Sequence, residues 1–221
     1  MTIELLPRER IEPAPGAVLV PDWLSVDEQR DLVDHCRRWA RPPAGMRRTR
    51  LPNGGVMSVG TVCLGWHWIP YRYSRRAEDG DGAPVTPFPP WLADLGRRAV
   101  AAAYGDGGEA TGYQPDVALV NHYDAAARMG LHQDKDERSE APIVSISLGD
   151  RCVFRFGNTH DRKRPYTDIE LRSGDLFVFG GANRLAYHGV PRIHPGTADP
   201  AIGLADGRLN ITLRETGLTD P

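Results

Sequence analysis

A histidine and a carboxylate stand one residue apart in the middle of the chain, in His132-Gln-Asp134. In extended backbone such residues point to the same side, so an imidazole and a carboxylate could hold one metal ion. His188 is the best candidate for a second imidazole. Two histidines and a carboxylate on one face of a metal leave the other face open, which suits non-haem Fe(II) working with dioxygen. Because such pairs also arise by chance, the spacing alone leaves incidental histidines as an alternative.

The segment from Arg208 to Arg214 alternates strictly between polar and apolar residues, which predicts a strand with one buried face. If the polar face meets water, this is an ordinary edge strand. If it points inward, the two arginines form a compact anion grip, because the planar guanidinium binds carboxylates in bidentate fashion. A dicarboxylate that chelates iron at one end would need such a clamp at its other end.

A second polar pair lies on a strand predicted upstream of the metal residues. Asn121 and Tyr123 share one face of this strand with Val117 and Leu119. From that face, the amide and the phenol could bind the same acid from its side. The alternative is that Tyr123 packs its ring in the core and satisfies its hydroxyl nearby.

Together these segments resemble the AlkB family, the nucleic-acid demethylases among the Fe(II)/2-oxoglutarate dioxygenases. The order and spacing of four blocks carry the resemblance: Asn121 to Glu137, Ala141 to Gly149, Arg184 to Gly189 and Arg208 to Arg214. It extends upstream to Met57-Ser-Val59 and Leu64-Gly-Trp66, and so covers most of the chain. The likeness is greatest to the bacterial repair enzymes of that family.

The resemblance implies a mainly β fold with a double-stranded β-helix, a jelly-roll variant, as its core. N-terminal helices would buttress one sheet, and residues 41–76 would form a nucleotide-recognition lid. A single dioxygenase domain is expected over 1–221, with an arm at 1–16, the helices and lid at 17–112, and the catalytic jelly-roll at 113–221.

The resemblance also implies a ligand set for each cofactor. Fe(II) would be held by His132, Asp134 and His188. The co-substrate 2-oxoglutarate would pair its distal carboxylate with Arg208 and its iron-proximal carboxylate with Arg214. Supporting contacts would come from Asn121, Tyr123 and Asn210.

The implied activity is oxidative demethylation of N-alkylated bases such as 1-methyladenine and 3-methylcytosine, which releases formaldehyde, succinate and CO2. The expected target is DNA, preferably single-stranded, with RNA as a further target. One alternative keeps the dioxygenase chemistry but acts on methylated tRNA or a protein side chain. Another is a non-enzymatic jelly-roll binding module whose histidines are incidental or hold structural zinc. Structural zinc normally has four protein ligands, and the sequence offers no fourth.

Charge and aromatic residues point to the partner. From Arg30 to Arg76 the chain carries ten arginines and two acids, a net charge of +8, whereas the remainder sums to −10. A basic segment on an acidic body favours a polyanion such as nucleic acid, although an Arg-rich exposed helix is the alternative. The loop from Leu64 to Ser74 sets aromatic residues beside arginines, which suits base stacking; it could instead be a plug at one end of the barrel.

The resemblance places specific residues against the substrate. Trp66 and Tyr71 match positions that line the substrate pocket, but the loop between them is two residues shorter here, so Tyr73 could replace Tyr71. Asp136 would face the positive charge of a methylated base, unless it is simply a solvated loop carboxylate. Arg162 would contact the substrate strand.

Composition sets further expectations. The 221 residues are 40% hydrophobic and 25% charged, which is ordinary for a globular protein. No apolar run approaches the ~20 residues that span a bilayer, and the first residues lack the order of a signal peptide. The three cysteines, Cys36, Cys63 and Cys152, are scattered, which favours free thiols. We therefore expect a cytoplasmic monomer without membrane contact.

The elements that must position these residues follow from local patterns. The capping box Ser25-Val-Asp-Glu28 opens a helix to about Ala40, and a second helix spans 90–104. Many short strands separated by turn residues indicate a sandwich or barrel. The predicted strands are 18–20, 56–62, 117–123, 143–148, 152–156, 167–171, 176–179, 184–188 and 208–214.

Overall fold

A computed structural model describes residues 7–219, which form two facing sheets, a hairpin and three helices. The larger sheet contains β1 (Ile11–Ala14), β2 (Ala17–Val20), β3 (Gly60–Leu64), β6 (Val117–Tyr123), β8 (Ile143–Gly149), β11 (Leu176–Phe179) and β13 (Arg208–Arg214). The smaller sheet contains β7 (Met129–His132), β9 (Arg151–Phe156), β10 (Thr167–Leu171) and β12 (His188–His194). The separate hairpin is β4 (His67–Ile69) with β5 (Arg72–Ser74), and the helices are α1 (Val26–Trp39), α2 (Pro90–Tyr104) and α3 (Gly108–Gly112).

The strand order is that of a jelly-roll. The larger sheet runs β1-β2-β11-β8-β13-β6-β3 and the smaller β10-β9-β12-β7, with antiparallel neighbours throughout. From β6 onward the chain passes repeatedly between the sheets, so each receives four of the last eight strands. This arrangement confirms the predicted fold class.

Strand β13 divides two regions of the interior. Its apolar residues Leu209, Ile211 and Leu213 pack in the core between the larger sheet and the helices. Its alternate residues point into the space between the two sheets and line a cavity: Arg208, Asn210, Thr212 and Arg214. The inward orientation of the polar face, which strand periodicity could not decide, is thus the one the structure adopts.

The helices begin as local chemistry predicts and cover the outer face of the larger sheet. The Ser25 hydroxyl accepts the backbone N–H of Glu28 at 3.3 Å, and the Glu28 carboxylate accepts the backbone N–H of Ser25 at 2.9 Å. Helix α2 has Pro90 in its first turn and ends at Gly105, whose φ is 89°. Side chains from both helices join the core on that face, so the helices buttress the larger sheet.

Two predicted strands are wrong in their bounds. Residues 184–188 are not a strand, because a 3-10 turn at Gly181–Asn183 leads into a loop and β12 begins only at His188. The Arg184 side chain anchors that loop through the carbonyls of Asp134 and Ala141, at 2.7 Å each. The strand predicted at 56–62 begins only at Gly60, and residues 56–58 before it line the cavity.

The predicted N-terminal arm is more ordered than expected within the residues described. Residues Ile11–Ala14 form β1 and pair with β2. Arg8 also binds the fully buried carboxylate of Asp175, at 2.8 Å for one of its two contacts. Residues 1–6 of this arm lie outside the described part of the chain.

The cysteines are free thiols, as their spacing in the sequence predicts. Cys36, Cys63 and Cys152 are all buried free thiols. Within residues 7–219, no helix combines the length and apolar character needed to cross a membrane.

Candidate metal centre and its cavity

The three predicted metal ligands converge at the edge of the smaller sheet. Strands β7 and β12 are neighbours, and their register pairs His132 with His188. Asp134 follows two residues after β7, and its oxygens lie 3.6 Å from Nε2 of His132 and 3.5 Å from Nε2 of His188. One ligand atom from each residue lies within 4.8 Å of the others, which is compact enough for a single ion.

Hydrogen bonds orient both imidazoles. Nδ1 of His132 lies 2.9 Å from the carbonyl of Gly130, and Nδ1 of His188 lies 3.0 Å from that of Ala186. When each Nδ1–H donates to its carbonyl, the lone pair of Nε2 faces the site, as metal ligation requires. Burial, reinforced by the neighbouring His188, lowers the pKa of His132 to about 4, so this ring is neutral at pH 7.

Asp134 supplies the negative charge. Its side chain is 5% exposed, and burial by itself would raise the pKa of the carboxyl group. The guanidinium of Arg214, 2.8 Å away, and the neighbouring His188 outweigh that effect and hold the pKa of Asp134 well below its ordinary range. The carboxylate is therefore charged at neutral pH.

This donor set fits an iron ion better than structural zinc. Two imidazoles and one carboxylate on one side are the ligands of a non-haem Fe(II) centre with open positions. Among residues 7–219, no other group of three or more His, Cys, Asp or Glu side chains brings its ligand atoms this close together, and no fourth protein ligand closes the site.

A cavity of about 880 Å³ lies beside the metal ligands, between the two sheets. All five residues predicted to bind the co-substrate line it: Asn121, Tyr123, Arg208, Asn210 and Arg214. The strands bring them together because β13 pairs with β6 in a register that sets Arg208 opposite Tyr123 and Asn210 opposite Asn121.

Arg208 is a buried cation with unused donors. Its residue is 1% exposed, and its Nη2 donates to the hydroxyl of Ser147 at 3.0 Å. Its Nε and Nη1 have no hydrogen-bond partner, and no carboxylate of residues 7–219 pairs with it. A desolvated guanidinium left this way is costly, so the site fits the arrival of an anion such as a carboxylate.

Arg214 belongs to a buried ionic network that sequence reasoning missed. Its Nη1 lies 2.9 Å from Glu137, whose other oxygen lies 3.1 Å from Arg184. The hydroxyl of Tyr73 donates to Glu137 as well. The side chain of Glu137 is 1% exposed. Only the long-range contact with β13 reveals its role.

The residues predicted to contact the substrate separate into two groups. Tyr71, Asp136 and Arg162 line the cavity, and Tyr71 is 72% exposed. Tyr73 does not line it. Its hydroxyl donates to Glu137, and burial raises its pKa well above the ordinary value. Trp66 does not line it either, which corrects the expectation from the resemblance.

Trp68 takes the place on the cavity wall that was expected for Trp66. Trp68 lines the cavity and donates its indole N–H to Asp136 at 2.8 Å. Trp66, in contrast, is 5% exposed and donates to Asp116 at 3.0 Å. The sequence contains a signal for Trp68. It is a second tryptophan in the same loop, two residues after Trp66, so both side chains would point to the same side of extended backbone.

The basic segment is partly neutralised by acids from other parts of the chain or from the same helix. The arginines with a carboxylate partner include Arg30, Arg37, Arg47, Arg48 and Arg72. Its net charge therefore overstates the charge available to a polyanion.

Comparison with known proteins agrees with this geometry. A family model described as the 2OG-Fe(II) oxygenase superfamily matches residues 16–214. The chain is also 40% identical to an alpha-ketoglutarate-dependent dioxygenase AlkB homolog of Caulobacter vibrioides, over 90% of this chain and 87% of that one. The chain belongs to the AlkB family of 2OG-Fe(II) oxygenases. Membership confirms the resemblance and indicates Fe(II) and 2-oxoglutarate as the cofactor and co-substrate of this cavity.

Other AlkB-family proteins extend the likeness to plants. The chain is 34% identical to the DNA N(6)-methyladenine demethylase ALKBH1C of Arabidopsis thaliana, over 91% of this chain and 48% of that protein. It thus spans about half the length of the Arabidopsis relatives. A solved structure of OsALKBH1 superposes with a TM-score of 0.81 at 32% identity, covering 94% of this chain and all of that one.

Proposed function

We propose that this protein is an oxidative demethylase of N-alkylated bases in nucleic acid, dependent on Fe(II) and 2-oxoglutarate. The supporting observation is one cavity that holds the metal triad, a buried Arg208 with unused donors and a charged substrate wall at Asp136. The names of the relatives, which describe dioxygenases and DNA demethylases, support the same activity.

The chain's own residues prepare the metal site. His132, Asp134 and His188 would hold Fe(II). The carbonyls of Gly130 and Ala186, which accept the Nδ1–H groups of the two histidines, keep the rings from turning. With 2-oxoglutarate and dioxygen, the bound metal supplies the oxidising power that hydroxylates a methyl group on nitrogen. The protein binds, orients and shields the reactants.

Two arginines orient the co-substrate. Arg208 uses its free Nε and Nη1 donors to bind the distal carboxylate, while Asn121 and Tyr123 contact it from strand β6. Arg214 already shares its Nη atoms with Asp134 and Glu137. Its Nε, which has no partner within residues 7–219, is the donor left for the carboxylate nearest the metal.

The substrate wall favours a cationic base. Methylation at N1 of adenine or N3 of cytosine blocks pairing and adds positive charge, so such a base is cheaply extruded from its strand. The carboxylate of Asp136 stabilises that charge, and Arg162 contacts the strand at the rim of the cavity. Single-stranded DNA is the expected target because no duplex has to be opened, and RNA follows by the same argument.

The first experiment incubates the purified protein with Fe(II), 2-oxoglutarate and a single-stranded DNA oligonucleotide carrying one 1-methyladenine. Mass spectrometry of the oligonucleotide should show loss of the methyl group, with formaldehyde and succinate released. His132→Ala serves as the control and should leave the oligonucleotide unchanged. Succinate formation with an intact lesion would reject this substrate, and absence of both products would reject the activity.

A second candidate substrate is N6-methyladenine, which the name of the Arabidopsis relative specifies. This base is neutral and still pairs, so the charge of Asp136 gives it no advantage. The same assay with an N6-methyladenine oligonucleotide separates the two. Faster turnover of the neutral base would favour the second substrate.

A further inference from the structure

We propose that Asp150, which does not line the cavity, is a positioning residue for co-substrate binding. Its carboxylate holds the backbone of Gly207, and Gly207 sets the place of Arg208, the residue proposed to bind the distal carboxylate of 2-oxoglutarate. The inference rests on the proposed function, because it takes Arg208 as that clamp.

Arg208 depends on its backbone for orientation. Its Nη2 donates to Ser147 at 3.0 Å, whereas Nε and Nη1 have no partner within residues 7–219. Arg208 is the first residue of β13, and it pairs with the last residue of each neighbouring strand, Tyr123 of β6 and Gly149 of β8. The sheet therefore supports the chain only on the C-terminal side of Arg208, and Gly207 decides where the side chain starts.

Asp150 binds Gly207 through both its side chain and its backbone. Oδ2 of Asp150 accepts the N–H of Gly207 at 3.0 Å, and the N–H of Asp150 donates to the carbonyl of Gly207 at 2.8 Å. Oδ1 accepts the N–H groups of Thr197 and Ala198 at 2.8 and 3.0 Å. One carboxylate, in a residue that is 3% exposed, thus joins the two ends of the segment between β12 and β13.

The space around Gly207 leaves little room for adjustment. Its φ is 77°, and a Cβ there would lie 2.8 Å from the carbonyl oxygen of Tyr123 and 3.0 Å from Nε2 of His122. A Cβ at Gly149 would lie 2.5 Å from the carbonyl oxygen of Gly207. Because the backbone is packed this closely on both sides, a shift of Gly207 has to be passed on to Arg208.

The rest of the segment between β12 and β13 has anchors of its own on helix α1. Arg30 donates to the carbonyl of Ala201 at 3.1 Å, and Arg37 donates to the carbonyl of Gly203. Ile202 is 1% exposed and belongs to the core beneath the helices. Loss of the contact between Asp150 and Gly207 should therefore leave the segment folded and change the direction of Arg208.

Asp150→Asn is expected to release Gly207 selectively. An amide has one acceptor oxygen, and that oxygen satisfies two donors if it faces the N–H groups of Thr197 and Ala198. The NH2 group then faces the N–H of Gly207, which loses its acceptor.

The matched control is Asp199→Asn in the same segment. The Asp199 carboxylate caps the 3-10 turn Pro200–Ile202 by accepting the N–H of Ala201 at 2.8 Å. Asparagine caps about as well as aspartate, so this variant removes a carboxylate charge while leaving the contact at Gly207 in place.

The measurement is calorimetric titration of 2-oxoglutarate into protein loaded with Mn(II), which suits such ligands and gives no turnover. We expect Asp150→Asn to raise the Kd about tenfold or more, the scale of a misplaced binding group, and Asp199→Asn to change it less than about twofold. With 2-oxobutanoate, which lacks the distal carboxylate, Asp150→Asn and the wild type should bind equally. The Fe(II) concentration for half-maximal succinate formation should not change.

Two further variants test whether the effect passes through Gly207 and Arg208. Adding Asp150→Asn to Arg208→Met should cause no further loss of 2-oxoglutarate affinity, because the clamp is already absent. Gly207→Ala displaces the same backbone from the side of Tyr123, so it should weaken 2-oxoglutarate but not 2-oxobutanoate. Circular dichroism and thermal melting establish which variants are folded, and Gly207→Ala decides if Asp150→Asn is not.

The outcomes separate the inference from the proposed function. An unchanged Kd in folded Asp150→Asn, equal weakening of both oxo acids, or a further loss in the Arg208→Met background would overturn the inference alone. Failure of both Asp150→Asn and Gly207→Ala to fold would overturn it too, since that result marks a purely structural role. A wild type that does not bind 2-oxoglutarate, or Arg208→Met that binds it equally well, would reject the proposed clamp and this inference together.

Discussion

Arg214 bridges two buried carboxylates, with one nitrogen 2.8 Å from Asp134 and another 2.9 Å from Glu137. One of these carboxylates belongs to the proposed metal triad, and the other is fixed by Arg184 and Tyr73. The residue proposed to hold the inner carboxylate of 2-oxoglutarate thus also holds a ligand of the metal. On the proposed assignments, metal binding and co-substrate binding would share this one side chain.

Arg214→Lys should disturb both binding events. Lysine keeps the positive charge but lacks the planar fork that spans two carboxylates. We expect the KM for 2-oxoglutarate and the Fe(II) concentration for half-maximal activity each to rise by about tenfold or more, as when an outer-shell partner is removed. Succinate formation measured across both titrations checks this. The control is Arg155→Lys at an exposed pair with Asp168, which should change neither value. A change in only one titration would contradict the coupling.

Arg208→Met should leave the thermal stability of the ligand-free protein unchanged or raise it, but should abolish the stabilisation by 2-oxoglutarate. The substitution removes a buried cation whose Nε and Nη1 have no partner, so the melting temperature without ligand should stay the same or rise. The wild type should gain about 2–3 kcal/mol at a 2-oxoglutarate concentration near 100 times Kd, whereas the variant should gain almost nothing. Thermal melting with and without 2-oxoglutarate measures both effects. An equal ligand-induced shift in the two proteins would rule out Arg208 as the clamp.

Gly189→Ala should weaken Fe(II) binding by pushing apart the two strands that carry the histidines. A Cβ at Gly189 would lie 2.7 Å from the carbonyl oxygen of Met129 and 2.9 Å from that of Gly130, so β12 and β7 would have to separate. That shift would move His188 away from His132, and we expect at least about tenfold weaker Fe(II) binding. Gly130→Ala is the matched control, because a Cβ there meets nothing within 4 Å. Calorimetric titration with Fe(II) under anaerobic conditions compares them. Equal affinities would show that the strand spacing tolerates the methyl group.

Asp79→Asn should make the free energy of unfolding less dependent on pH in the acid range. Asp79 accepts hydrogen bonds from Arg47 at 2.9 Å, Thr49 at 2.8 Å and His67 at 2.5 Å. Burial opposes ionisation, but Arg47 and His67 outweigh it and lower the pKa of Asp79 below its unfolded value of 3.8. Its charge therefore stabilises the fold above that pH and loses this effect as the pH falls through the lower, folded value. Denaturant unfolding from pH 6 to pH 2 measures the difference.

The expected result has two parts. At pH 6 the Asp79→Asn protein should be about 1–3 kcal/mol less stable than the wild type, because buried donors lose a charged acceptor. The two curves should converge as the pH falls through the lowered pKa of Asp79. Parallel curves over the whole range would show that the ionisation of Asp79 does not contribute to folding.

Sequence periodicity predicted many strands of the catalytic half, but it did not predict which face of a strand points into the cavity. The alternation in β13 gives two sets of residues and cannot say which set meets the helices. The family resemblance supplied that orientation, and the structure confirms it, because Ile211 is fully buried in the core beneath the helices while Arg208 faces the cavity.

Long-range contacts explain what the sequence could not provide. Trp66 and Trp68 are two residues apart, so alternation along a strand does not distinguish them. The hydrogen bonds of their indole N–H groups to the distant Asp116 and Asp136 distinguish the indole that faces the cavity from the one that does not. No local pattern singles out Glu137, because its partners Arg184 and Arg214 lie 47 and 77 residues away in the chain. Local patterns carry no information about such partners.

The hairpin of β4 and β5 forms a sheet of its own, apart from the two sheets that carry the metal ligands and the arginine clamp. Changes in hairpin length or composition can therefore accumulate without altering the register of the catalytic strands. The shortened loop between Trp66 and Tyr71 is one such change. The hairpin still reaches the arginine clamp, because the hydroxyl of Tyr73 on β5 donates to Glu137, the partner of Arg214. A change in the hairpin would therefore be transmitted through that one hydroxyl and not through the pairing of the catalytic strands.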